Sequence, residues 1–215
     1  MDAGHGGRDP GTSHYGLREK DLVLDLAKRV ASELGARGMS AVLTRDRDEF
    51  LPLSRRPAIA NRLPADLFVS VHVNANRNRH VSGIEVYYPR ESQVTDATAL
   101  PPSVRPSEVA LPTTTVKRVL WDVVLSQTRS QSVRLASVIC RTMREQLGTR
   151  CRGIRGARFV VLREAQMPAV LVEVGYVSNH RESQQLAEPA YRQRAAQAIA
   201  DGIASYLRDV GAQDI

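Results

Sequence analysis

Aromatic residues are scarce in this chain of 215 residues: they make up 5%, with a single tryptophan and three phenylalanines. Proteins that bind single-stranded nucleic acid stack bases on aromatics set among basic side chains. No such stripe is present, so no nucleic-acid partner is expected despite a net charge of +7. That charge reads either as a solvated arginine-rich surface or as a match for an anionic partner of another kind. Cysteine is also scarce. Cys140 and Cys151 are too few for a disulfide framework and lack CxxC spacing. Cys140 stands at helical spacing with Val133, Ala136, Met143 and Leu147, which predicts a buried thiol. No apolar run approaches the roughly 20 residues of a membrane helix, so no membrane span is expected. An export signal is missing too, because the chain starts directly on a glycine loop. Such loops usually follow a strand, and almost none precedes this one. The expectation is that a natural N-terminal portion, including most of a first strand, is absent.

What remains is ordinary globular composition, 42% apolar and 25% charged, of a length that suits one domain over residues 1–215. Periodicity predicts a helix over 21–37, with Val23, Leu26, Ala27, Val30 and Leu34 on one stripe and Gly35 and Gly38 ending it. A buried strand is predicted at 40–44 (SAVLT), then a helix capped by Ser54 and running to about residue 63. Further strands are predicted at 67–73 (LFVSVHV), 83–88 (GIEVYY), 159–162 and 169–174 (AVLVEV). A long helical region covers 116–147, with a break near 126–130, and a final helix starts at Pro189 and ends near residue 207. This alternation predicts an α/β fold: a single three-layer domain whose mostly parallel central sheet is flanked by helices on both faces. Residues 90 to about 125 break the pattern, with Pro101, Pro102, Pro106 and Pro112 and little periodicity, and read as an insertion.

The chain is organised around residues 1–11 (MDAGHGGRDPG), where four glycines deny a helix or long strand and leave His5 projecting from a tight loop. Glu19 opens the first helix, His72 interrupts an apolar strand between Ser70 and Asn74, and Glu173 is embedded between Val172 and Val174. Each has an ordinary explanation alone: helix-dipole preference for Glu19, a satisfied core histidine for His72, an arginine ion pair for Glu173. Together they are chemically complete. Two imidazoles and a carboxylate form a zinc set that leaves a fourth position to water, and a further carboxylate can move the water's proton. The expected metal ligands are His5, Glu19 and His72, with Glu173 as the base. Asn74 and Arg45 are candidate cleft residues.

These segments also resemble a known family. DAGHGGRDPG, GLREKD, TRDRDEFLPLSRR with AIAN, ADLFVSVHVNA, SGIEVYY, and MPAVLVEVGYVSNHRE before AYRQRAAQAIADGI are similar to the zinc-dependent N-acetylmuramoyl-L-alanine amidases of the bacterial wall, the AmiA, AmiB and AmiC type called amidase type 3. They occur in the family's order and cover nearly the whole chain except about 90–125. The resemblance implies Zn2+ on His5, Glu19 and His72, Glu173 as catalytic glutamate, and hydrolysis of the amide between N-acetylmuramic acid and L-alanine in peptidoglycan. It implies work in the periplasm or outside the cell, in cell separation or wall remodelling. The 90–125 insertion resembles, in location, one that covers the zinc in division amidases until a protein activator displaces it. One of Glu91, Asp96, Glu108 or Asp122 would then cap the metal.

Overall fold

A computed structural model describes residues 1–90 and 114–211, with side-chain surroundings given outside 114–126. The insertion and the capping carboxylates Glu91, Asp96, Glu108 and Asp122 therefore lie outside the described side chains. In chain order the elements are β1 (Asp2–Ala3), β2 (Ser13–His14), β3 (Leu17–Arg18), α1 (Glu19–Ala36), α2 (Arg55–Ala60), β4 (Phe68–Asn74) and β5 (Ile84–Pro89). Then follow α3 (Thr114–Leu147), β6 (Cys151–Ala157), α4 (Val160–Arg163), β7 (Ala169–Tyr176), α5 (His180–Ala187) and α6 (Pro189–Gly211).

The central sheet runs β1-β4-β7-β5-β6. β1, β4 and β7 are parallel, whereas β5 is antiparallel to β7 and carries β6 parallel to itself. The sheet is thus mostly parallel, as expected, with one antiparallel pairing, β5 against β7. Only residues 75–83 join β4 to β5, too few for the crossover that a parallel neighbour needs. The α3 crossover is long enough, and β5 and β6 are parallel.

Strand alternation sorts two faces. Val69, Val71 and Val73 of β4 and Val170, Val172 and Val174 of β7 join Leu26 and Val30 of α1, Leu135 and Ile139 of α3, and Ile199 of α6 in the main core. The opposite face has a smaller cluster, in which Phe68, Ala169 and Leu171 meet Ala60 at the end of α2 and Val161 and Leu162 of α4. The large helices therefore close one side of the sheet, and the short α2 and α4 leave part of the other side free for a site.

Several expectations need correction. Residues 40–44 are not a buried strand: Val42 is 53% exposed, and β1 is too short to extend a ladder. The segment is tied by Met1 N to Val42 O (2.8 Å) and Thr44 N to Met1 O (2.9 Å). Residues 159–162 are the turn of α4 with Phe159 as its N-cap. The strand lies just upstream as β6, whose CRGIRGA sequence has little β-branched character to reveal it. α1 runs through Gly35, α3 is unbroken through 126–130, and Ser54 precedes α2 without a side-chain cap bond. Cys140 is buried but is no free thiol. The turn after α3 returns Cys151 to it, and the two form a disulfide with Cα atoms 5.9 Å apart.

Candidate active site

The glycine loop is held from three sides. Gly4 N donates to Val71 O of β4 (3.1 Å), which ties the loop to the sheet although β1 has only two residues. α1 has no side-chain cap. Its first amides instead donate into the loop, Glu19 N to Thr12 O (2.9 Å) and Lys20 N to Pro10 O (3.1 Å), satisfying groups that a helix start leaves unpaired. Below, the buried Arg56 donates to Ala3 O and His5 O, both at 2.6 Å, and pairs with Asp2 Oδ1 at 3.0 Å. Arg45, expected in the cleft, is instead buried under the loop. It donates to the carbonyls of Ala3 (3.0 Å), Gly4 (2.7 Å), Lys20 (3.0 Å) and Arg47 (3.1 Å). Asn74, the other cleft candidate, turns its amide towards Glu85 Oε2 (3.4 Å) and accepts from Ala75 N (2.8 Å), and it does not line the cleft.

His5, Glu19 and His72 converge, each offering one ligand atom within 4.8 Å of the others. Glu19 Oε1 lies 3.2 Å from His5 Nε2 and 2.9 Å from His72 Nδ1, and the two rings meet edge-on at 5.0 Å between centroids. Glu19 also accepts from Thr12 N at Oε2 (2.9 Å) and Val73 N at Oε1 (3.2 Å), which fixes the carboxylate between loop and strand. Burial pushes Glu19 up, but hydrogen bonds and charge from His5 and His72 outweigh it and hold the carboxyl far below its ordinary value. Burial pulls His5 down, yet Glu19 and Asp9 outweigh it and hold the ring above its ordinary value. The trio is therefore built to gather positive charge, and two nitrogens and a carboxylate at this spacing fit a zinc ion.

Two glycines are required for this packing. A Cβ on Gly4 would sit 2.3 Å from the His72 ring. At Gly11, where φ is +65°, it would sit 2.5 Å from Glu19 Oε2 and 2.8 Å from His5 Cδ2.

Glu173 shares this site. It is in register with His72 on the neighbouring parallel strand and with Glu85 on the antiparallel one. The three side chains thus lie in a row on the free face of the sheet. Glu173 Oε2 is shut off from solvent and has no hydrogen-bond partner among the described residues. Burial first, then the charges of Glu19 and Glu85, push its carboxyl well above the usual range. A cleft of about 390 Å³ opens over these groups, lined by His5, His72 and Glu173 with Asp9, Arg56, Leu53, Arg158 and Phe159 among its walls.

Sequence reasoning missed two members of this neighbourhood. Asp9 Oδ2 lies 2.8 Å from His5 Nδ1, which orients the ring so that Nε2 faces Glu19. A carboxylate four residues after a loop histidine was the available signal. Glu85 is 3% exposed. It accepts from Tyr87 OH (2.8 Å) and pairs with Arg152 (3.3 Å) and Arg155 (3.4 Å). Burial pushes its carboxyl up, but Tyr87, Tyr176 and the arginines outweigh this and keep it below its ordinary value. Its signal was a carboxylate alternating with Ile84 and Val86 in an apolar strand.

A family model described as N-acetylmuramoyl-L-alanine amidase matches residues 1–205. The chain is 36% identical to the N-acetylmuramoyl-L-alanine amidase LytC of Bacillus subtilis, a match covering 97% of the chain and 35% of LytC. It is 37% identical to AmiA of Escherichia coli, covering 96% of the chain and 75% of AmiA. The chain thus spans about a third of LytC and three quarters of AmiA. Among solved structures, AmiC2 of Nostoc punctiforme superposes with a TM-score of 0.74 at 37% identity, covering 96% of this chain and 94% of that one.

Proposed function

The chain belongs to the N-acetylmuramoyl-L-alanine amidase family, and from that premise we propose that it hydrolyses the amide between N-acetylmuramic acid and L-alanine in peptidoglycan, with Zn2+ as cofactor. The observation that carries this reading is Glu173: a carboxyl with an unpartnered, solvent-shielded oxygen, one strand away from a histidine of a metal-competent trio and facing the same cleft.

His5, Glu19 and His72 would hold the ion. When bound, zinc polarises a carbonyl and lowers the pKa of a coordinated water towards about 7. Glu173 does the proton work. Its raised affinity suits a group that takes the proton of the attacking water and passes it to the nitrogen of the departing L-alanine. Asp9 fixes the His5 ring, and Arg56 fixes the His5 backbone. The amide and one water become a lactyl carboxylate and an alanyl amine.

A place outside the cytoplasmic membrane, in the periplasm or beyond the cell, is supported by the Cys140–Cys151 disulfide, since such bonds persist in oxidising compartments. Cell separation or wall remodelling is the corresponding role. No helix among the described residues is long and apolar enough to cross a membrane. A protein activator acting on the 90–125 insertion remains part of the proposal. It is supported by the solved CwlD amidase of Clostridioides difficile, which is in complex with the GerS lipoprotein. Deletion of residues 91–115 should then raise wall-hydrolysing activity, and no rise would remove this element.

Digestion of purified sacculi tests the reaction. Release of intact stem peptides with a free L-alanine amine is the expected product. Loss of a terminal D-alanine instead would assign a carboxypeptidase.

A further inference from the structure

We propose that Arg158 is the carboxylate-recognising residue of the cleft. The group it takes is the free α-carboxylate of the stem-peptide residue that follows the alanine. This rests on the amidase reading above and deepens it to substrate choice.

Among the described residues, two arginines reach the cleft, Arg56 and Arg158. Arg56 is buried, and its guanidinium is fully engaged by Asp2 Oδ1, Ala3 O, His5 O and Leu51 O. Arg158 is exposed, in the link between β6 and α4, and makes no hydrogen bond or ion pair among the described residues. Among the described residues, Asp9 in the cleft wall and Glu164 already have other partners. Asp9 holds His5 Nδ1 (2.8 Å) and Gly11 N (3.1 Å), and Glu164 pairs with Arg163 (3.2 Å). The lip around Arg158 is apolar, with Leu53 58% and Phe159 41% exposed. Apolar walls strengthen the field of a charge they flank, and exposed apolar surface beside a cleft marks a place for a ligand.

A guanidinium with all its donors available recognises a carboxylate through two parallel hydrogen bonds. The bond to be cut lies next to the alanine, and the next residue of the stem offers an α-carboxylate that some walls leave free and others convert to a carboxamide. A carboxamide cannot accept the same charged pair. Arg158 therefore selects the unamidated stem, with the peptide's aliphatic parts laid along Leu53 and Phe159.

The test compares two muramoyl-peptide substrates that differ only in that carboxylate or carboxamide. The protein should favour the carboxylate by about tenfold in kcat/KM, carried mainly by KM, as for a charge-assisted pair of about 1.4 kcal/mol. Arg158→Gln should bring the ratio of the two substrates close to one, and Arg158→Lys should restore part of it. An unchanged ratio in Arg158→Gln, or an equal loss on both substrates, would overturn the assignment. If the unaltered protein cleaves both substrates without preference, or favours the carboxamide, this inference fails and the amidase reading stands; if it cleaves neither, that reading falls and this inference with it.

Discussion

His72 and Glu173 are register partners on adjacent parallel strands, β4 and β7. Neighbours of this kind point to the same face of a sheet, so one pairing sets a metal-competent imidazole beside an unpartnered carboxyl. Neither residue depends on a flexible loop for its position. The loop supplies His5, the helix start supplies Glu19, and both are pinned to the strands by Gly4 N to Val71 O (3.1 Å) and Val73 N to Glu19 Oε1 (3.2 Å).

Asp9 acts through His5. Asp9→Asn keeps the shape but removes the charge that holds Nδ1, and outer-shell changes of this kind typically cost 10–100-fold in metal affinity. Zinc titration against a competing chelator should show a weakening in that range, with little change in thermal stability of the metal-free protein.

Gly11→Ala should damage the site more than the fold around it. The residue has φ +65°, and the added methyl carbon would lie 2.5 Å from Glu19 Oε2. The left-handed backbone alone costs about 1–2 kcal/mol for a residue with a side chain. Urea unfolding should report at least that loss, and zinc binding should weaken alongside it.

Asp2 and Arg56 form a buried pair at 3.0 Å. Burial pushes Asp2 up, but Arg56, Ser70 and Thr44 outweigh it and hold the carboxyl below its ordinary value. A carboxyl whose folded pKa is depressed stabilises the fold fully above its unfolded value, about 3.9 for Asp. That contribution is lost as pH falls from there through the folded value. Stability should hold down to about pH 4 and then decline. Asp2→Ala should be less stable at neutral pH by about 3–5 kcal/mol, because Arg56 is left buried and unpaired, and should show a shallower acid decline. Denaturant melts across pH check both.

The disulfide joins residues separated by 11 positions. Closing a loop of that size stabilises by about 3 kcal/mol in the chain-entropy account. Melting under reducing conditions should fall accordingly, and an unchanged melting temperature would mean that the bond adds nothing.

The sequence made the trio legible because each residue sits against its context: a histidine among glycines, a histidine in an apolar strand, an acid opening a helix. Their convergence in the structure needed only the α/β alternation and the tendency of strand ends to gather functional groups. What stayed hidden depends on tertiary pairing. Nothing local says that Arg45 turns inward to backbone carbonyls, that Cys151 returns to Cys140, or that Glu85 lies beside Glu173. β6 was hidden by its glycines and arginines, and the reversed direction of β5 followed from the short 75–83 link rather than from periodicity.

Zinc content measured on the purified protein and two variants tests the central claim most directly. The expected result is about one zinc per chain, loss of it in His5→Ala, and retention in Glu173→Ala with turnover reduced at least about 100-fold. A protein that hydrolyses the muramoyl–alanine amide with no zinc bound, or a Glu173→Ala variant as active as the parent, would contradict it.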